Sequence, residues 1–497
     1  MKTGNILRFS PMQKVLDPLR EARQRLEAPE LLDALRHASD EDAVELRRAL
    51  IRLCAFFEDS VSNPLLGSPF ELTGSSPLNE MMEEIARAYG VKKSFPGTNG
   101  TTGLNVAATK ALARERQTLA LGRDCHVSIL AGLVDSGARP VYLAPPFDPG
   151  RGVLLPPTRE EVGTLLERHP EAESLVLTLP TYHGLMGDIE GIVDECHVRG
   201  VILMVDEAHG PHFRFLRRLG FPLSAEEAGA DLVTQSTHKV LAALNQASLL
   251  HLNNSSLIRR YEESQALGPV STSFSYLILM SIEHAVHQIV TRGEEMWGKA
   301  VELARRLRTE AAAFPGIRAL DERIVDGHRV TGLDPTRVTL NVRGTGLSGN
   351  EVAHLLLEQG DIVELATPDV VLFLVSPGVN ENQVEGTLRA LRDLKRRKPS
   401  GEPPFLPPPL PPQLLTPRQA VMCSARVRLP LRYAIGEVSA ETIGCFPPGQ
   451  AILVAGELVT EEAVQYLKRA VEAGGHLKRV QDDNFQTIEV LADGSPC

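Results

Sequence analysis

The sequence predicts an α/β protein built on a mostly parallel sheet. Apolar segments of strand length alternate with helical patterns from Thr118 onward. The segment 201–205, Val-Ile-Leu-Met-Val, is continuously apolar, as expected of a strand that is covered on both faces. Repeated βα units place helices on both faces of such a sheet. A chain of 497 residues, 43% of them hydrophobic, is long enough for more than one domain.

The large domain follows from the order of these patterns. A first helix is predicted from Pro77 to Tyr89, with Gly90 as its C-cap. The predicted strands and helices that follow are 118–121, 126–136, 140–143, 158–169, 174–178, 188–199 and 201–205.

A smaller α+β domain is expected after a long helix over 276–313. Its predicted strands are 337–342 and 370–375, and its helices are 349–359 and 381–397. The basic run 395–398 would then complement the dipole of the last helix. The full domain prediction is a helical N-terminal segment 1–75, a large domain 76–313, a small domain 314–400, a proline-rich linker 401–416 and a C-terminal α+β module 417–497.

Composition limits the partners and the location. Lys and Arg number 52 against 63 Asp and Glu, a net charge of −11, which argues against nucleic acid or an anionic membrane as partner. The six cysteines form no Cys-x-x-Cys pair, which favours free thiols in a reducing compartment. The N-terminus shows no signal-peptide core, and no apolar run is long enough to span a bilayer. We therefore predict a cytoplasmic protein, and we assign no metal ligands.

Three stretches carry residues suited to one cofactor. Lys239 follows an apolar segment that begins at Asp231, and burial would lower its pKa and make it a nucleophile for a carbonyl. Asp206 ends the apolar run 201–205, where open α/β sheets bind ligands. The glycine- and threonine-rich stretch 97–103 precedes a helix whose free N–H groups would attract an anion. Pyridoxal phosphate needs these three features: a lysine for a Schiff base, an acid for its ring nitrogen and a phosphate site.

The same stretches resemble the bacterial ornithine/lysine/arginine decarboxylases. The matching motifs are Gly-Thr-Asn-Gly-Thr-Thr at 97–102, Arg-Asp-Cys-His at 123–126, Val-Asp-Glu-Ala-His-Gly at 205–210 and Thr-Gln-Ser-Thr-His-Lys at 234–239. The resemblance runs from about Ser75 to the C-terminus. It implies an aspartate-aminotransferase-like fold and decarboxylation of arginine, lysine or ornithine to a polyamine or diamine.

The resemblance also implies roles for individual residues. Lys239, Asp206, His126 and His238 are the expected catalytic residues, with His126 stacked on the cofactor ring. Lys239, Asp206, His126, Gly100, Thr101, Thr102, Ser236, His238, His209 and Thr272 are the expected contacts of the cofactor. The loop 271–275 resembles a family loop that reaches a neighbour's phosphate site, so a homodimer or a dimer-based oligomer is expected. Glu364 is a candidate contact for a cationic substrate tail.

The sequence departs from the family pattern in several places. It lacks a His-x-Pro-Gly-His-Lys motif near its N-terminus, Phe274 replaces a proline, and Ala455-Gly456-Glu457 replaces Pro-Gly-Glu. Two alternatives therefore stay open: an aminotransferase or lyase of the same fold, and a catalytically silent decarboxylase-like regulator. Aminotransferases usually carry an arginine for the substrate carboxylate in the small domain, where Arg343 is the candidate.

Overall fold

A computed structural model describes most of the chain. The described residues are 77–267, 274–399, 401, 403–446, 450–474, 476–478 and 485–492. The predicted helical segment 1–75 and the predicted cofactor contact Thr272 lie outside them.

The first part of the described chain alternates strands with helices. The elements are, in order, α1 (Pro77–Tyr89), β1 (Lys93–Gly97), α2 (Gly100–Leu112), β2 (Thr118–Gly122), α3 (Val127–Ser136), β3 (Arg139–Leu143), β4 (Phe147–Asp148), β5 (Val153–Leu154), α4 (Arg159–Arg168), β6 (Ala172–Thr178), β7 (Leu185–Met186), α5 (Ile189–His197), β8 (Ile202–Asp206), β9 (Leu232–Gln235), α6 (Thr237–Val240), β10 (Ser248–Leu252) and α7 (Ser255–Leu267).

Within these residues, seven strands form one sheet in the order β1-β10-β9-β8-β6-β2-β3. The strands from β9 to β3 run parallel, and β10 pairs antiparallel with both β9 and the edge strand β1. The predicted α/β class with a mostly parallel sheet is confirmed. Thr178, Asp206 and Thr234 stand side by side near the carboxyl ends of β6, β8 and β9. Residues that follow these strands therefore meet at one edge of the sheet.

A second, smaller sheet follows the longest helix. The elements of this part are α8 (Tyr276–Ala312), β11 (Arg318–Ala319), β12 (Gly332–Leu333), β13 (Arg337–Asn341), α9 (Gly349–Glu358), β14 (Leu365–Ala366), β15 (Val370–Leu374) and α10 (Glu381–Arg392). Strands β11, β13, β15 and β14 form an antiparallel sheet in that order. Strand β12 pairs with β7, which ties this part to the first.

One apolar core runs between the two sheets. It includes Val205 of β8, Val338 of β13 and Trp297 of α8, all buried. Side chains of the small sheet are therefore held against the edge where β8 ends. The boundaries proposed for the large and small domains stay predictions.

The basic run 395–398 does not extend the last helix of this part. Helix α10 ends at Arg392, five residues before the predicted end. Arg396 donates instead from Nε to the carbonyl of Pro315 over 2.9 Å, and Nη1 of Arg397 lies 2.8 Å from Glu351. Arg396 also donates from Nη1 to the carbonyl of Arg392 over 3.3 Å and from Nη2 to that of Leu391 over 3.4 Å. The basic run therefore still contacts the C-terminal carbonyls of α10, as expected of a cation near the negative end of a helix dipole.

The C-terminal part forms a small α+β unit. Its elements are α11 (Pro417–Met422), β16 (Arg426–Pro430), α12 (Leu431–Ala434), β17 (Ile443–Phe446), β18 (Gln450–Leu453), α13 (Glu461–Glu472), β19 (His476–Lys478) and β20 (Thr487–Leu491). Strand β17 lies between β18 and β19, and β16 pairs with β20. Leu431, Ile443 and Leu467 are among the residues of a separate apolar cluster in this unit.

Two observations bear on the predicted location. Among the helices of the described ranges, none is both long enough and apolar enough to cross a bilayer. Cys125 and Cys196 are buried free thiols, whereas Cys423 is disulfide-bonded, so the expectation of six free thiols is wrong at that residue. The cytoplasmic location stays a prediction.

Candidate active site

A cavity of about 430 Å³ lies at the carboxyl ends of β2, β6, β8 and β9. The residues proposed from sequence that line it are Gly100, Thr101, Thr102, His126, Asp206, His209, Ser236, His238 and Lys239. Parts of the chain that are far apart in sequence thus contribute to one site. Apart from Thr272, which is not described, every residue predicted to be catalytic or to contact the cofactor lines this cavity.

Asp206 is buried at the end of β8 and is held by two donors. Asn105 donates from Nδ2 to Asp206 Oδ2 over 2.8 Å, and the amide of Ala208 donates to Oδ1 over 3.1 Å. The Asn105 amide also donates to Ser128 Oγ over 3.0 Å, and its oxygen accepts from Thr234 Oγ1 over 2.8 Å. These bonds fix the Asp206 carboxylate as an acceptor that faces the cavity.

Lys239 comes from the short helix α6, which follows β9. Its side chain is exposed because it faces the cavity, yet enough protein surrounds the ammonium that burial lowers the pKa of Lys239. Asp206 and Glu364 oppose that shift, and Arg337 reinforces it. Nζ of Lys239 lies 3.3 Å from Nε2 of His209. The environment therefore favours an uncharged amine more than water does.

The other end of the cavity is suited to an anion. Helix α2 begins at Gly100, which has φ +66°, and the side chain of Asn99 makes no cap hydrogen bond there. The hydroxyls of Thr101 and Ser236 are hydrogen-bonded to each other at this point. An uncapped helix N-terminus with neighbouring hydroxyls is a common phosphate site.

Two of the histidines that line the cavity, His126 and His238, each have Nδ1 engaged by a neighbouring group. His126 is the N-cap of α3, where its Nδ1 accepts from the amide of Ser128 over 3.2 Å. Nδ1 of His238 lies 2.7 Å from the carbonyl oxygen of Ala247. A carbonyl oxygen only accepts hydrogen bonds, so Nδ1 carries the proton of the neutral ring. Burial lowers the pKa of His238, so the ring is neutral and Nε2 carries no proton. His238 is thus better suited to accept a proton than to donate one to a phosphate dianion.

Sequence reasoning left other residues of the site without a role. Asp124 lines the cavity, and burial, together with the nearby Asp206, raises its pKa to about 6. Tyr182 also lines the cavity and donates its hydroxyl to Glu364 Oε1 over 2.8 Å. Asp124 belongs to the motif at 123–126, but nothing in the sequence around it indicated that its carboxylate would line the site.

The arginine near the site is not the one expected. Arg343 lies 3.4 Å from Asp369 and is absent from the cavity lining. Arg337 instead reaches the site from the first position of β13: its Nη2 lies 2.6 Å from Nδ1 of His209. No role was predicted for Arg337, which begins strand β13 and is 1% exposed.

These residues fit pyridoxal phosphate. The donor set at the start of α2 matches a phosphate, Asp206 matches a ring N–H, and Lys239 is the amine that could hold an aldehyde. The hydroxyl of Thr178 lines the same cavity and has no hydrogen-bond partner within the described part of the chain, although it is buried. A buried hydroxyl without a hydrogen-bond partner destabilises the fold unless a ligand supplies that partner.

The fold is that of the pyridoxal-phosphate-dependent, aspartate-aminotransferase-like enzymes. The structure of the constitutive lysine decarboxylase of Escherichia coli superposes with a TM-score of 0.72 at 24% identity, covering 88% of this chain and 77% of that one. The ureidoglycine–glyoxylate aminotransferase of Bacillus subtilis superposes with a TM-score of 0.51 at 13% identity, covering 65% of this chain and 86% of that one. At these identities the likeness concerns the fold alone.

Sequence comparison identifies the family. The major domain of the Orn/Lys/Arg decarboxylases matches residues 60–383. The arginine decarboxylase of Halalkalibacterium halodurans is 31% identical over 422 residues, which cover 84% of this chain and 85% of that protein. The chain belongs to the Orn/Lys/Arg decarboxylase family. Membership confirms the predicted decarboxylase class and its cofactor, pyridoxal phosphate.

Proposed function

We propose that this protein decarboxylates a basic amino acid, arginine, lysine or ornithine, and releases CO₂ with agmatine, cadaverine or putrescine. The observation that carries the proposal is the convergence of Lys239, Asp206 and the uncapped start of α2 on one cavity. A relative named arginine decarboxylase supports the basic substrate.

The roles of the residues follow from their surroundings. The amine of Lys239 would hold the cofactor, and Gly100, Thr101, Thr102 and Ser236 would bind its phosphate. Pyridoxal phosphate, when bound, supplies an aldehyde for the substrate amine and a ring that accepts electrons from the breaking Cα–carboxylate bond. Asp206 would keep the ring nitrogen protonated, and Asn105 holds the Asp206 carboxylate in place for that role.

The proton that replaces the carboxylate at Cα needs a donor near the cavity. Lys239 and His238 are the proposed candidates, since both line it. Burial lowers the pKa of Lys239 towards neutral pH, so this amine can change protonation state there more readily than in water. Burial also lowers the pKa of His238, which keeps its ring neutral, so His238 would have to take up a proton at Nε2 before it could deliver one.

Glu364 is the proposed partner of the substrate's cationic tail. Its carboxylate accepts from the Tyr182 hydroxyl, and Tyr182 lines the cavity. Glu364 also acts electrostatically on the Lys239 ammonium. A carboxylate held at this position would favour a substrate that ends in an ammonium or guanidinium group.

The geometry gives less support to an aminotransferase. Such an enzyme needs an arginine that is available to the substrate carboxylate. Arg343 pairs with Asp369 outside the cavity, and the guanidinium of Arg337 is engaged by His209 and by the carbonyl of Tyr182.

Release of labelled CO₂ tests the proposal directly. The purified protein with added pyridoxal phosphate should release ¹⁴CO₂ from carboxyl-labelled arginine, lysine or ornithine, with one of the three preferred. Lys239→Ala should abolish release, whereas Lys110→Ala, at an exposed lysine on α2, should not. No release from any of the three substrates, with the cofactor bound, would support the aminotransferase or the silent regulator instead.

We further propose a homodimer, or an assembly of dimers, with shared sites. The loop 271–275, of which Phe274 and Ser275 are described, is the proposed contribution to the neighbour's phosphate site. Light scattering should find no folded monomer at micromolar concentration. Mixing Lys239→Ala subunits with subunits whose Ser271, Thr272 and Ser273 are alanine should restore part of the activity, because one hybrid site would be intact. A fully active monomer would contradict the proposal.

A further inference from the structure

Arg337 is a buried arginine with its guanidinium against an active-site histidine. It is 1% exposed, and Nη2 lies 2.6 Å from Nδ1 of His209. Nη1 donates to the carbonyl of Tyr182 over 3.0 Å. The side chain crosses from the small sheet to the loop that follows Asp206. It therefore joins the two parts of the fold at the site itself.

The surrounding residues fix this side chain. Asp334 Oδ2 lies 3.8 Å from Arg337 Nε, and Asp334 is itself held by the amide and the hydroxyl of Thr336. Arg308 donates to the backbone carbonyl of Arg337 over 3.0 Å. At Gly184, which has φ +83°, an added Cβ would lie 2.8 Å from Arg337 Cγ. The arginine thus occupies a space that its neighbours define.

The contact determines where the proton of His209 lies. A guanidinium has only donors, so Nδ1 of His209 must accept. Burial lowers the pKa of His209 well below its usual value, and the charges that face it lower it further. Those charges are on Lys239, Arg337, His126 and His212. The ring is therefore neutral, and its one proton is on Nε2, the atom 3.3 Å from Lys239 Nζ.

We propose that Arg337 is a positioning residue that fixes the proton of His209 on Nε2 and so presents an N–H to the Lys239 amine. An uncharged amine has a lone pair that can accept this N–H, whereas an ammonium has only donors. The Nε2–H of His209 therefore favours the uncharged form of Lys239. The proposed function depends on that form, because only an uncharged amine can attack the aldehyde of the cofactor. Two carboxylates that face Lys239, those of Asp206 and Glu364, favour the ammonium form. Arg337 and His209 oppose this effect.

The tautomer can be observed without any substrate. In full-length protein with ¹⁵N-labelled histidine, the His209 signals, assigned by their loss in His209→Gln, should show a bare Nδ1 and a protonated Nε2. Arg337→Met removes the donor and should give a mixed or Nδ1-protonated ring. Arg343→Met is the matched control, because Arg343 follows the same strand but contacts Asp369, and it should leave the His209 signals unchanged.

The effect on Lys239 is a second measurement. In protein freed of cofactor, the pH midpoint for acylation of Lys239, followed by mass spectrometry of its peptide, should rise by about one unit in Arg337→Met. If Arg337→Met does not fold because Asp334 loses its partner, the double variant Asp334→Asn/Arg337→Met removes both charges and serves instead. Arg337→Lys, which keeps a donor and a charge, should restore part of the wild-type midpoint.

The outcomes separate this inference from the proposed function. A wild-type His209 that is protonated on Nδ1 or on both nitrogens would overturn the inference, even if the enzyme releases CO₂. Folded Arg337 variants with unchanged His209 signals and an unchanged Lys239 midpoint would also overturn it. The predicted tautomer in a protein that releases no CO₂ would leave the inference intact and refute the decarboxylase proposal alone.

Discussion

Arg123 and Glu457, which are 334 positions apart in sequence, form a buried ion pair with Nη2 and Oε2 separated by 2.8 Å. Arg123 also donates to the carbonyl of Ile452 over 3.2 Å and lies over the Tyr142 ring at 4.8 Å. The pair joins the C-terminal unit to the loop between β2 and α3. That loop carries Asp124 and His126, so the C-terminal unit supports one wall of the active site.

This pair predicts a dependence of stability on pH. Burial raises the pKa of Glu457 from 4.5 to about 7, although Arg123 opposes the shift. The folded state then holds this proton more tightly than the unfolded state, so the free energy of unfolding falls as pH rises from about 4.5 to about 7. At about 1.4 kcal/mol per pKa unit, the loss amounts to about 3 kcal/mol.

Denaturant unfolding of wild type and Glu457→Gln between pH 4.5 and pH 8 measures this contribution. Because glutamine does not titrate, the difference between the two unfolding free energies should change by that amount across the window. Glu462→Gln, an exposed position on α13, is the control and should follow the wild-type curve. A constant difference between wild type and Glu457→Gln would contradict the prediction.

Asn105→Ala should lower turnover without loss of the fold. It removes the amide that holds Asp206 and connects it to Ser128 and Thr234. A hydrogen bond to a charged group contributes about 1.5–3 kcal/mol, which corresponds to a roughly 10–100-fold lower rate. The measurement is kcat alongside thermal unfolding. Asn380→Ala, which removes the cap of α10, should lower stability and leave kcat unchanged.

Glu364→Gln should weaken recognition of a basic substrate. Losing a charge-assisted contact to the tail predicts a roughly 10–100-fold lower kcat/KM for lysine or arginine. Norleucine has an uncharged tail, so any turnover of norleucine should not fall. The control is Glu358→Gln, an exposed carboxylate at the end of α9. If kcat/KM fell equally for lysine and norleucine, Glu364 would act by holding Tyr182 and not by binding the cationic tail of the substrate.

The sequence predicted the part of the site that lies at strand ends. Val201–Val205 is apolar because both faces of β8 are buried, so the polar Asp206 that follows it stands out. Lys239 and the stretch 97–102 stand out in the same way, since a lysine after a buried strand and a glycine- and threonine-rich stretch before a helix both suit a ligand site. Their meeting at one sheet edge is a consequence of parallel strands.

The sequence could not predict contacts between residues that are far apart along the chain. Arg337 contacts His209 across 128 positions, and neither residue carries a local sign of the other. The one available signal was a charged residue at the start of a predicted strand, and arginine is seldom fully buried. Arg123 and Glu457 were both inside quoted motifs, but only the docking of the C-terminal unit brings them together.

Asp206→Asn should separate cofactor binding from catalysis. The phosphate site and Lys239 are untouched, so borohydride reduction of the purified protein should still attach the cofactor to the Lys239 peptide. The ring nitrogen would lose its anionic partner, and loss of one preorganised electrostatic contact costs about 2.7–4 kcal/mol, or about 10²–10³ in kcat. Asp231→Asn is the matched control, because Asp231 is a buried carboxylate beside the opposite end of β9 that accepts from the Leu203 amide. It should lower stability with little effect on kcat. Wild-type turnover in Asp206→Asn, or recovery of the cofactor on a lysine other than Lys239, would show that these roles are assigned wrongly.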